Sequence, residues 1–319
     1  DKVWLKDETG NPSASIKDRA SAVALLRAAA TGADTVAVAS TGNAGSSTAC
    51  LAAAMGLRAV VFVPETAPPA KLTQALAYGA RVLAVRGSYD DAYDLCMHVC
   101  KERGWFNRST GFNPFTREGK KTSSFEIWEQ LGQVPDRVMV PTGDGNILSG
   151  AWKGWRDLQA AGLIDRLPRI DCVQSQGSAA ICRSVERIRA AGPVTEWRSV
   201  HIDSVAASTV ADSISVDEPR DGLAAVRAVI ESGGEAVAIP DDEILAAIGE
   251  LASTAGVFAE PAAAAPWAAA KRLVKEGRIG RDESVVLLIT GNGLKDVAAV
   301  PVREPERVDP SPDSVRALL

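Results

Sequence analysis

TVAVASTGNAGSSTACLAAAMGLRAVVFVP, residues 35–64, decides the fold class of this chain. The β-branched run Thr35–Ser40 predicts a strand, and Thr48–Gly56 predicts a helix that ends on glycine. A second apolar run, Arg58–Pro64, predicts the next strand. Two strands joined by one helix need a right-handed crossover, which indicates neighbouring strands of a parallel sheet.

The same alternation of helix and strand patterns extends along most of the 319 residues. Later strand patterns include RVMVP, RIDCVQS and SVVLLI, each followed by a glycine- or serine-rich loop. The pattern is least regular between residues 191 and 218. We therefore expect an α/β protein built on doubly wound parallel sheets.

Composition narrows the possible functions. The net charge of −5 argues against a nucleic-acid or anionic-membrane partner. We see no apolar run of the roughly 18 residues that a membrane helix needs, and we expect a cytoplasmic protein. Five cysteines without CxxC spacing and two histidines predict free thiols and no metal site. Because the chain opens at Asp1 without a methionine, we expect further residues upstream.

Small, glycine-rich loops follow four of the predicted strands, after Ser40, Val140, Gln174 and Ile289. In open parallel sheets, ligands bind just beyond the carboxyl ends of the strands. Four such loops on one edge would form one pocket.

Three of these loops carry groups suited to one polar ligand. In PTGDGNILSG (residues 141–150), Gly143 and Gly145 permit a tight turn before a helix whose free N–H groups attract phosphate. Neither a Walker nor a GxGxxG pattern is present, so a nucleotide is not indicated. Asn43 offers an amide donor and acceptor, and Thr290 offers a hydroxyl. Taken singly, each is equally typical of a plain turn or a helix cap.

Lys17 stands among small hydroxyl residues in NPSASIKDRAS, residues 11–21. A lysine with little room for water loses ammonium solvation, so its free amine becomes available for Schiff-base chemistry. By itself it would be read as a surface lysine. Together, a reactive lysine, a phosphate loop, an asparagine and a hydroxyl satisfy one ligand, pyridoxal 5'-phosphate.

With these residues in hand, the chain resembles the fold-type II pyridoxal-phosphate enzymes, and among them the threonine synthases. The resemblance covers nearly the whole chain and follows the order of its motifs: SIKDR, STGNAGS, NPFTREGKKTSSFEI, VPTGDGNILSG, FAEPAAAA and TGNGLKD. It implies two doubly wound open-sheet domains with the active site between them. The smaller would span residues 11–128, the larger 1–10 plus 129–302, with 303–319 as a tail. It also implies a homodimer.

The resemblance assigns a role to each motif residue. Lys17 becomes the catalytic Schiff-base lysine, Asn43 lies beside the 3′-oxygen of the cofactor, and Thr290 lies at its pyridine nitrogen. Two further sets bind the phosphate of the cofactor (Gly143, Asp144, Gly145, Asn146) and the carboxylate of the substrate (Ser40, Thr41, Gly42, Asn43).

The reaction implied is conversion of O-phospho-L-homoserine and water to L-threonine and phosphate, with Lys17 moving protons at Cα and Cβ. Such a substrate needs a second anion site, for which NPFTREGKKT supplies Arg117 and Lys120 beside Lys121. We favour Arg117 first, because a guanidinium matches phosphate with two parallel hydrogen bonds. A solvated basic loop is the plain alternative. A serine/threonine dehydratase, a cysteate-synthase-like β-replacement enzyme and a non-catalytic binding protein on the same fold also stay open.

Overall fold

The computed structural model describes residues 2–301, 304–316 and 318. The expected tail boundary between 302 and 303 and the two ends of the chain, residues 1 and 319, lie outside these residues. The strands are β1 (Val3–Asp7), β2 (Thr35–Ala39), β3 (Arg58–Pro64), β4 (Arg81–Val85), β5 (Phe106–Asn107), β6 (Arg137–Pro141), β7 (Arg169–Ser175), β8 (Ala236–Ile239) and β9 (Val285–Ile289).

Helices alternate with these strands over most of the chain. They are α1 (Lys17–Ala30), α2 (Asn43–Met55), α3 (Pro69–Ala77), α4 (Tyr89–Arg103), α5 (Phe115–Lys120), α6 (Thr122–Leu131), α7 (Asn146–Ala160), α8 (Ala180–Ala191), α9 (Gly222–Ser232), α10 (Asp241–Ala255), α11 (Pro261–Lys275) and α12 (Pro312–Arg316). Between α8 and α9 the described backbone holds only short 3₁₀ turns, as the irregular sequence there indicates.

The strands form two sheets. One has five strands in the order β1-β9-β6-β7-β8, and the other has four in the order β4-β3-β2-β5. Every pairing is parallel. This confirms the predicted α/β class with parallel sheets.

The central strands β2, β6 and β9 are buried along their whole length. Parallel strands covered by helices on both faces read as continuous apolar runs, which is why TVAVA and VVLLI alternate little in polarity. Along β2 the side chains still point alternately to two cores: Val36 and Val38 pack into one cluster, and Ala37 and Ala39 into the other. Because β2 and β5 pair in parallel, the loops that follow the two strands lie at the same edge of the sheet.

At the amino ends of the strands, charged side chains form structural ion pairs. There the buried Arg137 donates to both carboxylate oxygens of Asp171 at 3.0 Å and to Glu283 at 2.7 Å. The groups singled out from the sequence lie at the opposite, carboxyl ends. No helix in the described ranges is both long and apolar enough to cross a membrane.

Candidate active site

Lys17 is the first residue of α1, and the loop before it is pinned to the loop after β9. The Ile16 N–H donates to the Thr290 carbonyl at 2.9 Å, and Ser15 forms an antiparallel bridge with Gly291. Thr290 itself is buried. The structure thus brings Lys17 and Thr290, which are far apart in sequence, to adjacent positions.

The surroundings of Lys17 favour an uncharged amine. Its side chain keeps some exposed surface, but protein atoms surround the amine at its end. Burial lowers the pKa of Lys17, and the nearby Arg108 lowers it further. Asp144 and Glu260 act in the opposite direction and raise the pKa, but their effect is smaller. An amine that loses its proton readily is the form that acts as nucleophile or base.

Asn43 is the first residue of α2, and Glu260 holds its amide. The Asn43 Nδ2 donates to both carboxylate oxygens of Glu260 at 3.0 Å and to Ser213 Oγ at 3.3 Å. Burial raises the pKa of Glu260, although the hydrogen bond from Asn43 opposes this. The Glu260 side chain also lies close to Gly291. A Cβ added to Gly291 would lie 2.6 Å from the carboxyl carbon of Glu260. One carboxyl group therefore joins the Asn43 loop to the Thr290 loop.

Sequence reasoning assigned no role to Glu260. The signal was present in FAEPAAAA, where an acidic residue stands directly before Pro261 at the start of a helix. Only its burial shows that this carboxyl group belongs to the interior rather than to an ordinary helix cap.

The loop Gly143–Gly145 leads into α7, and no side chain caps that helix. Gly145 has φ +90°, a left-handed conformation that glycine adopts without strain. Asp144 accepts from the Arg220 N–H at 2.7 Å, and burial raises the pKa of its carboxyl group. An uncapped helix start with free N–H groups is suited to a phosphate.

Cationic residues from α5 converge on the start of α7. Lys120 is fully buried and donates to Asn146 Oδ1. Burial lowers its pKa well below the usual range, and Lys17 and Arg108 lower it further. Arg117 pairs with Asp221, which accepts a second hydrogen bond from Asn146 Nδ2 at 2.5 Å. Arg117 and Lys120 therefore do not form a solvated loop, whereas the neighbouring Lys121 turns away to Glu118 and Asp157.

Two clefts flank this arrangement. The larger, about 200 Å³, is lined by Arg117, Asn146 and Asp221 together with Lys153. The smaller, about 30 Å³, lies beside Gly42 and Asn43. Lys71 and Lys295 line this smaller cleft with Glu260.

The loop expected to bind a substrate carboxylate is held less firmly than the rest of the site. Ser40, Thr41 and Gly42 are half-buried, and the Gly42 N–H donates to Ser40 Oγ at 3.3 Å. The loop after Gln174 lines neither cleft. Its Ser178 hydroxyl instead donates to the Ile214 carbonyl at 3.0 Å and supports the segment that covers Gly143. Three of the four predicted loops thus contribute to the site, and the fourth supports a neighbouring segment.

These residues suit pyridoxal phosphate on chemical grounds. Lys17 is an amine whose pKa is lowered, and the start of α7 offers backbone donors without a capping side chain. Asn43 and the buried Thr290 supply neutral polar groups on the loops beside Lys17. An aldehyde, a phosphate and the polar atoms of a ring therefore each have a matching partner.

Comparison with known proteins agrees with this chemistry. Residues 1–291 match the family described as pyridoxal-phosphate dependent enzyme. The threonine synthase of Methanocaldococcus jannaschii is 38% identical over 92% of this chain and 71% of its own length. That of Methanosarcina acetivorans is 38% identical over 100% of this chain and 77% of its own.

Solved structures show the same fold at lower identity. Threonine deaminase isoform 2 from Solanum lycopersicum superposes with a TM-score of 0.78 at 21% identity, over 93% of this chain and 80% of that one. O-ureido-L-serine synthase gives 0.77 at 21% identity, over 99% and 91%. These neighbours confirm the fold-type II architecture. The relatives with higher sequence identity show which group of these enzymes the chain belongs to. The chain belongs to the pyridoxal-phosphate-dependent enzymes and, among them, to the threonine synthases.

Proposed function

We propose that this enzyme converts O-phospho-L-homoserine and water to L-threonine and phosphate, with Lys17 as its catalytic amine. The observation that carries the substrate assignment is the group of basic side chains around Asn146, formed by Lys120 and the pair Arg117–Asp221. A cofactor with one phosphate needs one phosphate site, which the start of α7 supplies. The additional cations suit a substrate that brings a phosphate of its own.

When bound, pyridoxal phosphate supplies an aldehyde that condenses with amines and a conjugated ring that accepts electrons from a broken Cα–H bond. In our proposal, Gly143, Asp144, Gly145 and Asn146 hold the phosphate of the cofactor. The Asn43 amide, which Glu260 holds in place, would contact the 3′-oxygen of the cofactor. Thr290 offers the pyridine nitrogen a neutral hydroxyl group.

Lys17 is the acid–base catalyst in this proposal. Its lowered pKa leaves the free amine able to take a proton from Cα of the substrate and to move a second proton from Cβ to Cγ, from which phosphate leaves. Water then adds at Cβ, and a proton returns to Cα. Ser40, Thr41 and Gly42, with Asn43, hold the substrate carboxylate in this proposal. Arg117, which lines the larger cleft, donates to the substrate phosphate in this proposal, and Lys120 holds the side chain of Asn146 beside it.

We extend the proposal to organisation and location. The strand ranges support a smaller domain at residues 11–128, because β2, β3, β4 and β5 all fall inside that range. They equally support a larger domain made of 1–10 and 129–302, which contains the other five strands. We also propose a homodimer in the cytoplasm.

The test uses purified enzyme with its cofactor. Release of phosphate and threonine from O-phospho-L-homoserine is the expected result. Release of 2-oxo acid from serine or threonine alone would identify a dehydratase instead. Release of phosphate from O-phosphoserine only when sulfite is added would identify a β-replacement enzyme.

Arg117→Ala tests the phosphate assignment. We expect kcat/KM for O-phospho-L-homoserine to fall about 100-fold, because truncating one partner of a charge pair that the bound substrate would desolvate costs roughly 2–5 kcal/mol. Absorbance of the bound cofactor should not change. Arg156→Ala is the matched control, since Arg156 is a half-exposed arginine on α7 that pairs with Glu231. Normal kinetics of Arg117→Ala would move the substrate phosphate elsewhere.

A further inference from the structure

Two arginines are buried among the described residues, and they differ in their partners. Arg137, at the amino ends of the strands, is paired with Asp171 and Glu283. Arg108, directly after β5, has no exposed surface, and both of its side-chain hydrogen bonds go to hydroxyl groups. Its Nη2 has no hydrogen-bond partner within the described ranges. A buried charge without a carboxylate is costly, which points to a function rather than to stability.

The position of Arg108 is defined by two helices. Its Nε donates to Ser21 Oγ at 3.0 Å, and Ser47 Oγ donates to the same oxygen at 2.8 Å. Ser21 lies four residues after Lys17 on α1, and Ser47 lies four residues after Asn43 on α2. Residues four apart share one face of a helix, so the guanidinium lies one turn beneath both Lys17 and Asn43.

The guanidinium of Arg108 also faces α1. Nε and Nη2 share one edge of this planar group, and that edge is turned to Ser21. Nη1 lies on the other side and donates to Thr110 Oγ1 at 3.4 Å. Burial lowers the pKa of Arg108 to about 10, so the group still carries its charge at neutral pH.

Other charged or titratable groups near Lys17 and Arg108 come from the surrounding elements. They are Asp18 on α1, Tyr89 on α4, Lys120 on α5, Asp144 before α7 and Glu260 before α11. The Asp18 carboxylate is bonded to the N–H and the hydroxyl of Ser13, both at 2.6 Å. Asp144 and Glu260 act in the opposite direction to Arg108 on the Lys17 amine.

We propose that Arg108 is a positioning residue for Lys17, a fixed positive charge one helical turn below it that keeps the amine in its uncharged, proton-accepting form. This inference rests on the proposed catalytic role of Lys17. Arg108 does not touch the substrate in this proposal, in keeping with its full burial. It acts on the amine through space and, through Ser21 and Ser47, fixes the contact between the second turns of α1 and α2.

The test measures the charge state of Lys17 directly. Lysines of the full chain, freed of cofactor, are acetylated briefly with acetic anhydride across a pH series and quantified by mass spectrometry, with exposed Lys101 as internal reference. In Arg108→Met we expect the midpoint pH for Lys17 to rise by about one unit, a roughly tenfold loss of free amine at a given pH. Arg108→Lys should stay near the wild-type midpoint, and Arg58→Met, at an exposed arginine, should not shift it.

The loaded enzyme gives a second measurement. The acidic limb of its kcat/KM profile should move to higher pH by a similar amount in Arg108→Met and recover in Arg108→Lys. If Arg108→Met does not fold, Arg108→Gln, which can still bond Ser21, takes its place. An unchanged Lys17 midpoint in the folded neutral variant, or equal shifts in the neutral and lysine variants, would overturn the proposal. Normal turnover by Lys17→Ala would instead overturn the proposed function, so the two failures are distinct.

Discussion

Gly119→Ala should push apart α1, which carries Lys17, and α5, which carries Arg117 and Lys120. Gly119 lies on α5 at its contact with α1, between Arg117 and Lys120. A Cβ added there would lie 2.6 Å from the carbonyl carbon of Arg19 and 2.8 Å from the Cα of Ala20, and closer still to the Arg19 oxygen. These are backbone atoms, so no side chain can move aside to make room.

The size of the effect follows from these distances. Ordinary contact begins at 3.4 Å, so the 2.6 Å approach requires the helices to part by at least about 0.8 Å. Overpacking of this kind costs roughly 1–3 kcal/mol, partly offset by up to about 1 kcal/mol from the better helix propensity of alanine. A displacement near 1 Å in a catalytic site lowers turnover about 100-fold. Both effects should appear in one variant.

The assay combines urea unfolding with steady-state kinetics on O-phospho-L-homoserine. Gly249→Ala is the matched control, because Gly249 is an exposed helical glycine on α10 with open space around its Cβ position. That variant should gain about 0.5–1 kcal/mol and keep full activity. If Gly119→Ala unfolds at the wild-type urea concentration with wild-type kcat/KM, the close α1–α5 contact does not position the site, and the reasoning fails.

Three further results are expected. Lys17→Ala should lose the visible absorbance of the bound cofactor and reduce turnover by about 10²–10⁴-fold, with phosphate release as the measurement. Glu126→Gln should lower the free energy of unfolding above pH 4.5, because the hydrogen bond from Arg19 holds the folded-state pKa of Glu126 at about 2. Urea titrations at several pH values should show that the difference from wild type fades as the pH falls towards 2. Ala14→Gly should raise the free energy of unfolding by about 0.5–1 kcal/mol, since Ala14 has φ +67°; an unchanged or lower value would show that its conformation is not strained.

Much of the site was readable because short motifs carry their own chemistry. A lysine among small residues, a glycine turn before a helix and a polar residue at a strand end each limit what their neighbours can be. That is why Lys17, Asn43, Gly143 and Thr290 could be chosen without coordinates. Their assigned roles stay predictions until the variants are measured.

Other residues could not be found from the sequence, because what sets them apart is burial or a distant partner. Glu260 reads as a helix-capping acid until its contacts with Asn43 and Gly291 are seen. Arg108 reads as an ordinary polar residue after a short strand until its burial and unpartnered nitrogen appear. Lys120 likewise has the composition of a surface loop yet lies fully inside the protein.

The sequence by itself determined the alternation of strands and helices, the parallel direction of the sheets and the motif that supplies each reactive group. Those features are local, since periodicity and turn residues act within a few positions of the chain. Only the tertiary structure decided which groups share an environment. Electrostatic effects on Lys17 depend on distances through space to Arg108 and Glu260, which lie 91 and 243 positions away along the chain. No pattern within a few residues of Lys17 encodes those distances, because they arise only when α1, β5 and α11 pack together.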